Sequence, residues 1–110
     1  MAKFKVGILT FSDGRRYIHE DLLEVNQRYQ NRLVAALEAT GECEVVAGEE
    51  IIWSTAVAQA EGRRLAEAGV HLTIFNYAIW TFPHLSGVAT RFAPGPYLLF
   101  CNLNPSEPGM

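Results

Sequence analysis

Apolar runs alternate with segments of helical period along this chain. Val6, Ile8, Leu9 and Phe11 predict a first strand over Phe4 to Phe11, with Gly7 where a helix packs close. The loop Ser12-Asp13-Gly14-Arg15-Arg16 follows. Leu22, Val25, Tyr29, Leu33, Ala36 and Leu37 then recur at helical spacing and predict a helix from about His19 to Ala39. Glu20 and Asp21 suit the positive end of its dipole, and Gly41 suits its stop. Val45, Val46, Ile51 and Ile52 predict a second strand over Cys43 to Ile52, with a bulge or bend at Gly48. Ser54 or Thr55 caps a second helix running to about Ala68, whose expected buried stripe is Ala56, Val57, Ala60 and Leu65; Gly69 ends it. Val70 to Ala78 reads as a third strand. Pro83 opens a short third helix through Leu85, Val88 and Phe92. Pro94-Gly95-Pro96 turns the chain into a fourth apolar run, Tyr97 to Phe100.

The order β-α-β-α-β-α-β implies a parallel sheet with right-handed crossovers. The expected architecture is a three-layer Rossmann/flavodoxin-like α/β domain with about three helices and strand order 2-1-3-4. That order puts the first helix on one face and the other two on the opposite face. The first-helix face of strands 3 and 4 then lacks cover, although Leu72, Ile74 and Phe75 and Leu98, Leu99 and Phe100 make both strands apolar on both sides. A patch of that kind is unusual on a monomer and predicts cover by more chain or another subunit, unless the first helix slides across. Residues 1–105 read as one domain, and 106–110 as a linker or the start of a downstream domain.

Composition narrows the function. The chain has 110 residues, 49% hydrophobic and 19% charged, which can bury a core. With net charge -3 and only isolated basic pairs (Arg15-Arg16, Arg63-Arg64), nucleic acid is not an expected partner. The apolar runs fall short of the ~20 residues that span a bilayer, so no membrane role is expected. Cys43 and Cys101 form no CxxC pair and read as free thiols of a cytoplasmic protein.

Candidate chemistry gathers where strands end, the ligand-binding edge of open α/β sheets. After strand 1, Arg15 and Arg16 precede a helix N-terminus, where positive charge is disfavoured. Either one clamps an oxygen-rich ligand, or both face water, or one pairs with Asp13. The loop carries neither GxxxxGK[ST] nor GxGxxG, so it is not a phosphate loop. Strand 2 ends at Trp53, strand 3 at Asn76-Tyr77 with Trp80, Phe82 and His84 beyond, and strand 4 at Asn102 and Asn104. Aromatic faces stack on sugar C–H groups and amides bind hydroxyls, so this mixture suits a polyol. Phe82 reads as core; Trp80, Asn76 and Asn102 fit core and ligand roles equally. His71 reads as structural. His19-Glu20-Asp21 are consecutive on a helix and diverge, which suits no single metal ion. No Ser/His/Asp or Cys/His pattern is evident, and no catalytic residue is assigned.

Val6-Gly7-Ile8-Leu9-Thr10-Phe11-Ser12-Asp13-Gly14-Arg15, Thr73-Ile74-Phe75-Asn76-Tyr77-Ala78-Ile79-Trp80-Thr81-Phe82-Pro83-His84 and Gly95-Pro96-Tyr97-Leu98-Leu99-Phe100-Cys101-Asn102-Leu103-Asn104-Pro105 together resemble the amino-terminal domain of the L-fucose/L-arabinose isomerase-like family. The resemblance implies aldose–ketose interconversion at a divalent metal, usually manganese, held by two carboxylates and a histidine from later domains. It implies that this domain lines the active site of a neighbouring subunit, is inactive alone, and holds sugar through an arginine after strand 1 (Arg15 or Arg16) and a tryptophan after strand 3 (Trp80). The expected partners are a small sugar or polyol and either further copies or downstream domains of the same protein. Two other readings stay open: a stand-alone flavodoxin-like module binding a small polyol, and a structural interaction domain.

Overall fold

The computed structural model describes residues 4–77 and 83–101, with nothing of the Pro83 side chain. The elements run β1 (Phe4–Phe11), α1 (Arg16–Ala39), β2 (Cys43–Ala47), α2 (Thr55–Ala68), β3 (Leu72–Tyr77), α3 (Pro83–Phe92) and β4 (Tyr97–Cys101). The four strands form one parallel sheet in the order β2-β1-β3-β4. The expected fold class therefore holds.

Side chains alternate across β1 and sort the core into two layers. Leu9 and Phe11 face α2 and α3, where they join Ile52, Ala58, Leu65, Phe75, Leu85 and Ala89. Val6 and Ile8 face α1, together with Ile74, Leu33, Val34 and Leu37. Gly7 lets α2 sit close: a Cβ there would lie 2.7 Å from Leu65 Cδ1. Ser54 is the cap of α2, its hydroxyl accepting from the Val57 N–H at 3.3 Å. The chain leaves α1 and α2 through Gly41 and Gly69, both left-handed, with φ of 70° and 75°. His71 is structural: its Nδ1 accepts the Lys5 N–H at 2.9 Å and its ring stacks on Phe4.

Several expectations need correction. Helix α1 begins at Arg16, so its first turn holds no acid, and Glu20 lies one turn further in. Its fully buried positions are His19, Asn26 and Gln30, while Ala36 is exposed. The reason lies beneath it: β1 and β3 present Thr10, Ser12 and Asn76 there, all buried. Apolar contacts belong to the later half of α1 only. In α2 the buried positions are Ala58, Glu61, Gly62 and Leu65, while Ala56 and Ala60 are exposed. Glu61 turns inward because it accepts the N–H groups of Glu49 and Glu50 at 3.2 and 3.1 Å, and Arg64 Nε at 3.1 Å. That turn is the expected bend after Gly48. It ends β2 at Ala47, and the chain rejoins the sheet only through the bridge from Ile52 to Phe11. Strand β3 starts at Leu72, since the Val70 N–H still bonds to Leu65 O at 3.4 Å.

The open face is narrower than expected. Ile74 and Asn76 of β3 lie under α1, at 4% and 0% exposure, whereas their β4 partners Leu98 and Phe100 remain 51% and 40% exposed. Leu99, on the other face of β4, is 64% exposed. Among the described residues, no helix is long and apolar enough to cross a membrane.

Candidate functional site

The carboxyl ends of β1 and β3 and the start of α1 meet at one edge of the sheet. Ser12 follows β1 directly, its N–H bonded to Ile52 O at 2.7 Å. Asp13 comes next and is 4% exposed. Its Oδ1 accepts the Arg15 backbone N–H at 2.8 Å and Arg15 Nε at 3.0 Å. Its Oδ2 accepts Arg15 Nη2 at 2.8 Å. This two-pronged bond to the guanidinium holds the Asp13 carboxyl below the usual carboxylate range, against the opposing effect of burial. The same bond holds Arg15 firmly protonated. Arg15 is also the N-cap residue of α1; its own side chain does not cap the helix, and Asp13 supplies the negative charge ahead of the first turn.

One turn into α1, His19 folds back over Ser12. Its Nδ1 lies 3.0 Å from Ser12 Oγ, which also accepts from Asn26 Nδ2 at 3.0 Å. The far side of the imidazole stacks on Trp53, with centroids 5.3 Å apart and planes 13° apart. Deeper, a second chain of bonds crosses the sheet. Asn76 Nδ2 donates to Thr10 Oγ1 at 3.1 Å, Thr10 donates to Gln30 Oε1 at 2.7 Å, and Gln30 Nε2 donates to Gly48 O at 3.0 Å. The site is therefore a rigid polar floor under one exposed guanidinium, beside an aromatic-imidazole stack. Such a surface can bind oxygens and sugar C–H faces.

Residues 3–110 match a family model described as L-fucose isomerase, first N-terminal domain. The chain belongs to the L-fucose isomerase family. No curated protein and no solved structure matches it.

In this fucose isomerase N-terminal domain, the arginines singled out in the sequence are both ion-paired. Arg15 is held by Asp13 with its side chain 52% exposed. Arg16 meets Glu20 at 3.1 Å on the open surface, 78% and 60% exposed, a pairing that constrains it little. Asn76 is fully buried under α1. His84 is exposed in the first turn of α3, beyond β3. Trp80 and Asn102 lie outside the described residues. The pairing of Arg15 with Asp13 is one of the alternatives the sequence left open; the meeting of Ser12, His19 and Asn26 was passed over. Polar residues at 19, 26 and 30 share one helix face, and that spacing was the available signal. The donors do not suit a divalent metal. Among the described residues no three His, Cys, Asp or Glu side chains converge; Asp13 is engaged by Arg15, and Glu61 by Arg64 and two N–H groups.

Burial lowers the pKa of His19 below its ordinary 6.5, with Glu50 and Glu20 opposing more weakly. A lowered folded pKa means that the unfolded chain takes up this proton first. Stability is therefore expected to fall as pH drops through 6.5 toward the folded value. Chemical denaturation on both sides of that pH, repeated with His19→Gln, checks this: the variant should show a shallower slope, and an unchanged slope would exclude His19 as its source. Asp13 acts in a separate window, its contribution being lost only as pH falls below 3.8.

Proposed function

We propose that this chain is the substrate-lining and assembly domain of a metal-dependent aldose–ketose isomerase of the fucose/arabinose type, and that it is inactive alone. The observation that carries the reading is the guanidinium of Arg15, exposed at the carboxyl edge of β1 and fixed from behind by the buried Asp13. A donor fork held in one orientation positions adjacent hydroxyls without the entropy cost of ordering a free arginine. Arg16, Trp80, His84 and Asn102 complete the proposed sugar surface, with Arg15 and Trp80 as its principal contacts; Asn76, fully buried under α1, supports that surface from beneath instead of touching the sugar.

Aldose–ketose interconversion moves a proton between adjacent carbons. Manganese, bound in other parts of the assembly, would polarise the two substrate oxygens. The residues described here do other work: they hold the sugar, orient its hydroxyls and exclude water from one side. The exposed apolar strand β4 supports the assembly half of the reading, with further copies or downstream domains as partners. Cytoplasmic residence fits the free thiols of Cys43 and Cys101.

The test uses the natural full-length polypeptide. Arg15→Ala is expected to raise KM for L-fucose or L-arabinose by about 10- to 100-fold, the loss of a charge-assisted hydrogen bond. It should lower kcat less. Unchanged KM for both sugars would refute Arg15 as a contact. Turnover by residues 1–110 alone with manganese would refute the claim of inactivity. Saturable sugar binding by residues 1–110 alone, lost in Trp80→Ala, would favour the stand-alone polyol module.

A further inference from the structure

Both arginines at the carboxyl edge of β1 arrive with a carboxylate of their own: Asp13 grips Arg15, and Glu20 meets Arg16. The two pairs differ in kind. Arg16–Glu20 is open to water, whereas Asp13 is 4% exposed and makes three hydrogen bonds to Arg15. An incoming ligand cannot displace that carboxylate without breaking all three. The turn between a parallel strand and its helix commonly holds a ligand phosphate in α/β folds. Here an internal carboxylate already takes the donors that such a phosphate would use.

The consequence concerns charge. Two of the five guanidinium N–H groups point at Asp13, and the remainder lie on a half-exposed side chain. Those remaining groups still donate to hydroxyls. A second anion gains little from a cation whose charge is already matched, and it would lie close to the Asp13 carboxylate. We infer that Asp13 is a specificity-determining residue, which makes this site accept uncharged polyols and reject phosphorylated or acidic sugars. The inference rests on the proposed role of Arg15 as a sugar contact. Asp13 itself touches no substrate; it acts through Arg15, as a positioning and charge-matching group.

The experiment titrates the natural full-length protein with L-fucose and, separately, with inorganic phosphate, by calorimetry. In the wild type, L-fucose binds and phosphate neither binds nor competes with it. Asp13→Asn keeps the size of the side chain and one oxygen acceptor while removing the charge. This variant is expected to bind phosphate at least about tenfold more tightly than the weakest affinity the titration detects, the limit the wild type does not reach. Adding Arg15→Gln to it should abolish that gain, which a merely structural role for Asp13 would not produce. Equal phosphate affinity in wild type and Asp13→Asn would overturn the inference. If Asp13→Asn does not fold, Asp13→Ser takes its place. The wild-type titration also decides by itself, since phosphate competing with L-fucose there overturns the inference without any variant. Failure of L-fucose to bind, with phosphate still gained only in the variant, would sink the sugar-contact reading and leave the charge-matching role supported.

Discussion

Phe11→Ala is expected to lower the unfolding free energy by about 3–5 kcal/mol. Phe11 is fully buried and ends β1. Its ring lies 5.1 Å from Phe75 and 5.3 Å from Tyr77, in the layer facing α2 and α3. The surroundings have little freedom to collapse into the gap. The backbone on either side is pinned to Ile52, by the Ser12 N–H at 2.7 Å and the Ile52 N–H at 2.8 Å to Thr10 O. The cost should therefore combine lost burial with a retained cavity. Phe11→Leu fills much of the space and should cost about 1.5 kcal/mol or less. Urea unfolding of the three proteins makes the comparison. A loss below about 1 kcal/mol for the alanine variant would mean that this layer repacks freely, contrary to the pinned geometry. The effect would also reach the site, because Ser12 and Asp13 take their positions from the end of β1.

Order and type of elements were legible in the sequence for a simple reason. Strands buried on both faces must be apolar nearly throughout, and glycines or prolines mark the ends of the helices between them. Leu72–Tyr77 stood out on that basis, as did Pro83 at the start of α3; Tyr97–Cys101 is as apolar but exposed along its whole length. Helix phase was harder to read. In α2 the inward stripe includes Glu61, a charged residue that a hydrophobic count assigns to solvent. Its burial depends on the turn at Glu49 and Glu50, which only the fold brings to it. In α1 the same error arises from three polar residues at once. His19, Asn26 and Gln30 face a polar patch made by two strands, one of them, β3, more than 30 residues further along the chain. The narrower open face involves the same residues, since Asn76 of β3 bonds to Thr10, which donates to Gln30 of α1. At the site, strand ends located Arg15 at the carboxyl edge of β1. The grip of Asp13 on it was one of several local pairings that the loop allowed, and distances were needed to choose among them.

Thr10→Val tests the polar seam directly and is expected to cost about 2–3 kcal/mol. Valine matches threonine in shape, so no cavity forms and the hydroxyl alone is lost. Thr10 is 1% exposed and stands between two buried amides, donating to Gln30 at 2.7 Å and accepting from Asn76 at 3.1 Å. Without it, Gln30 Oε1 loses this donor and Asn76 Nδ2 this acceptor, in a place that water does not reach. The penalty comes chiefly from the buried Gln30 oxygen losing its hydroxyl donor, more than from the bond itself. The two losses should therefore overlap: Thr10→Val with Gln30→Met is expected to cost less than the sum of the two single changes, although Gln30→Met also removes the donor to Gly48 O. A double-mutant cycle by chemical denaturation reads the coupling, and strict additivity would show that the two residues stabilise the protein independently. The seam matters beyond stability. Gln30 also donates to Gly48 O at 3.0 Å, so one line of bonds ties β3, β1, α1 and the end of β2 together just beneath Ser12 and His19. An apolar core could hold these elements at similar spacing, but it would leave their sliding along one another unopposed. Directional bonds fix the register of α1 against the strands, and the position of Arg15 at the head of that helix depends on the register.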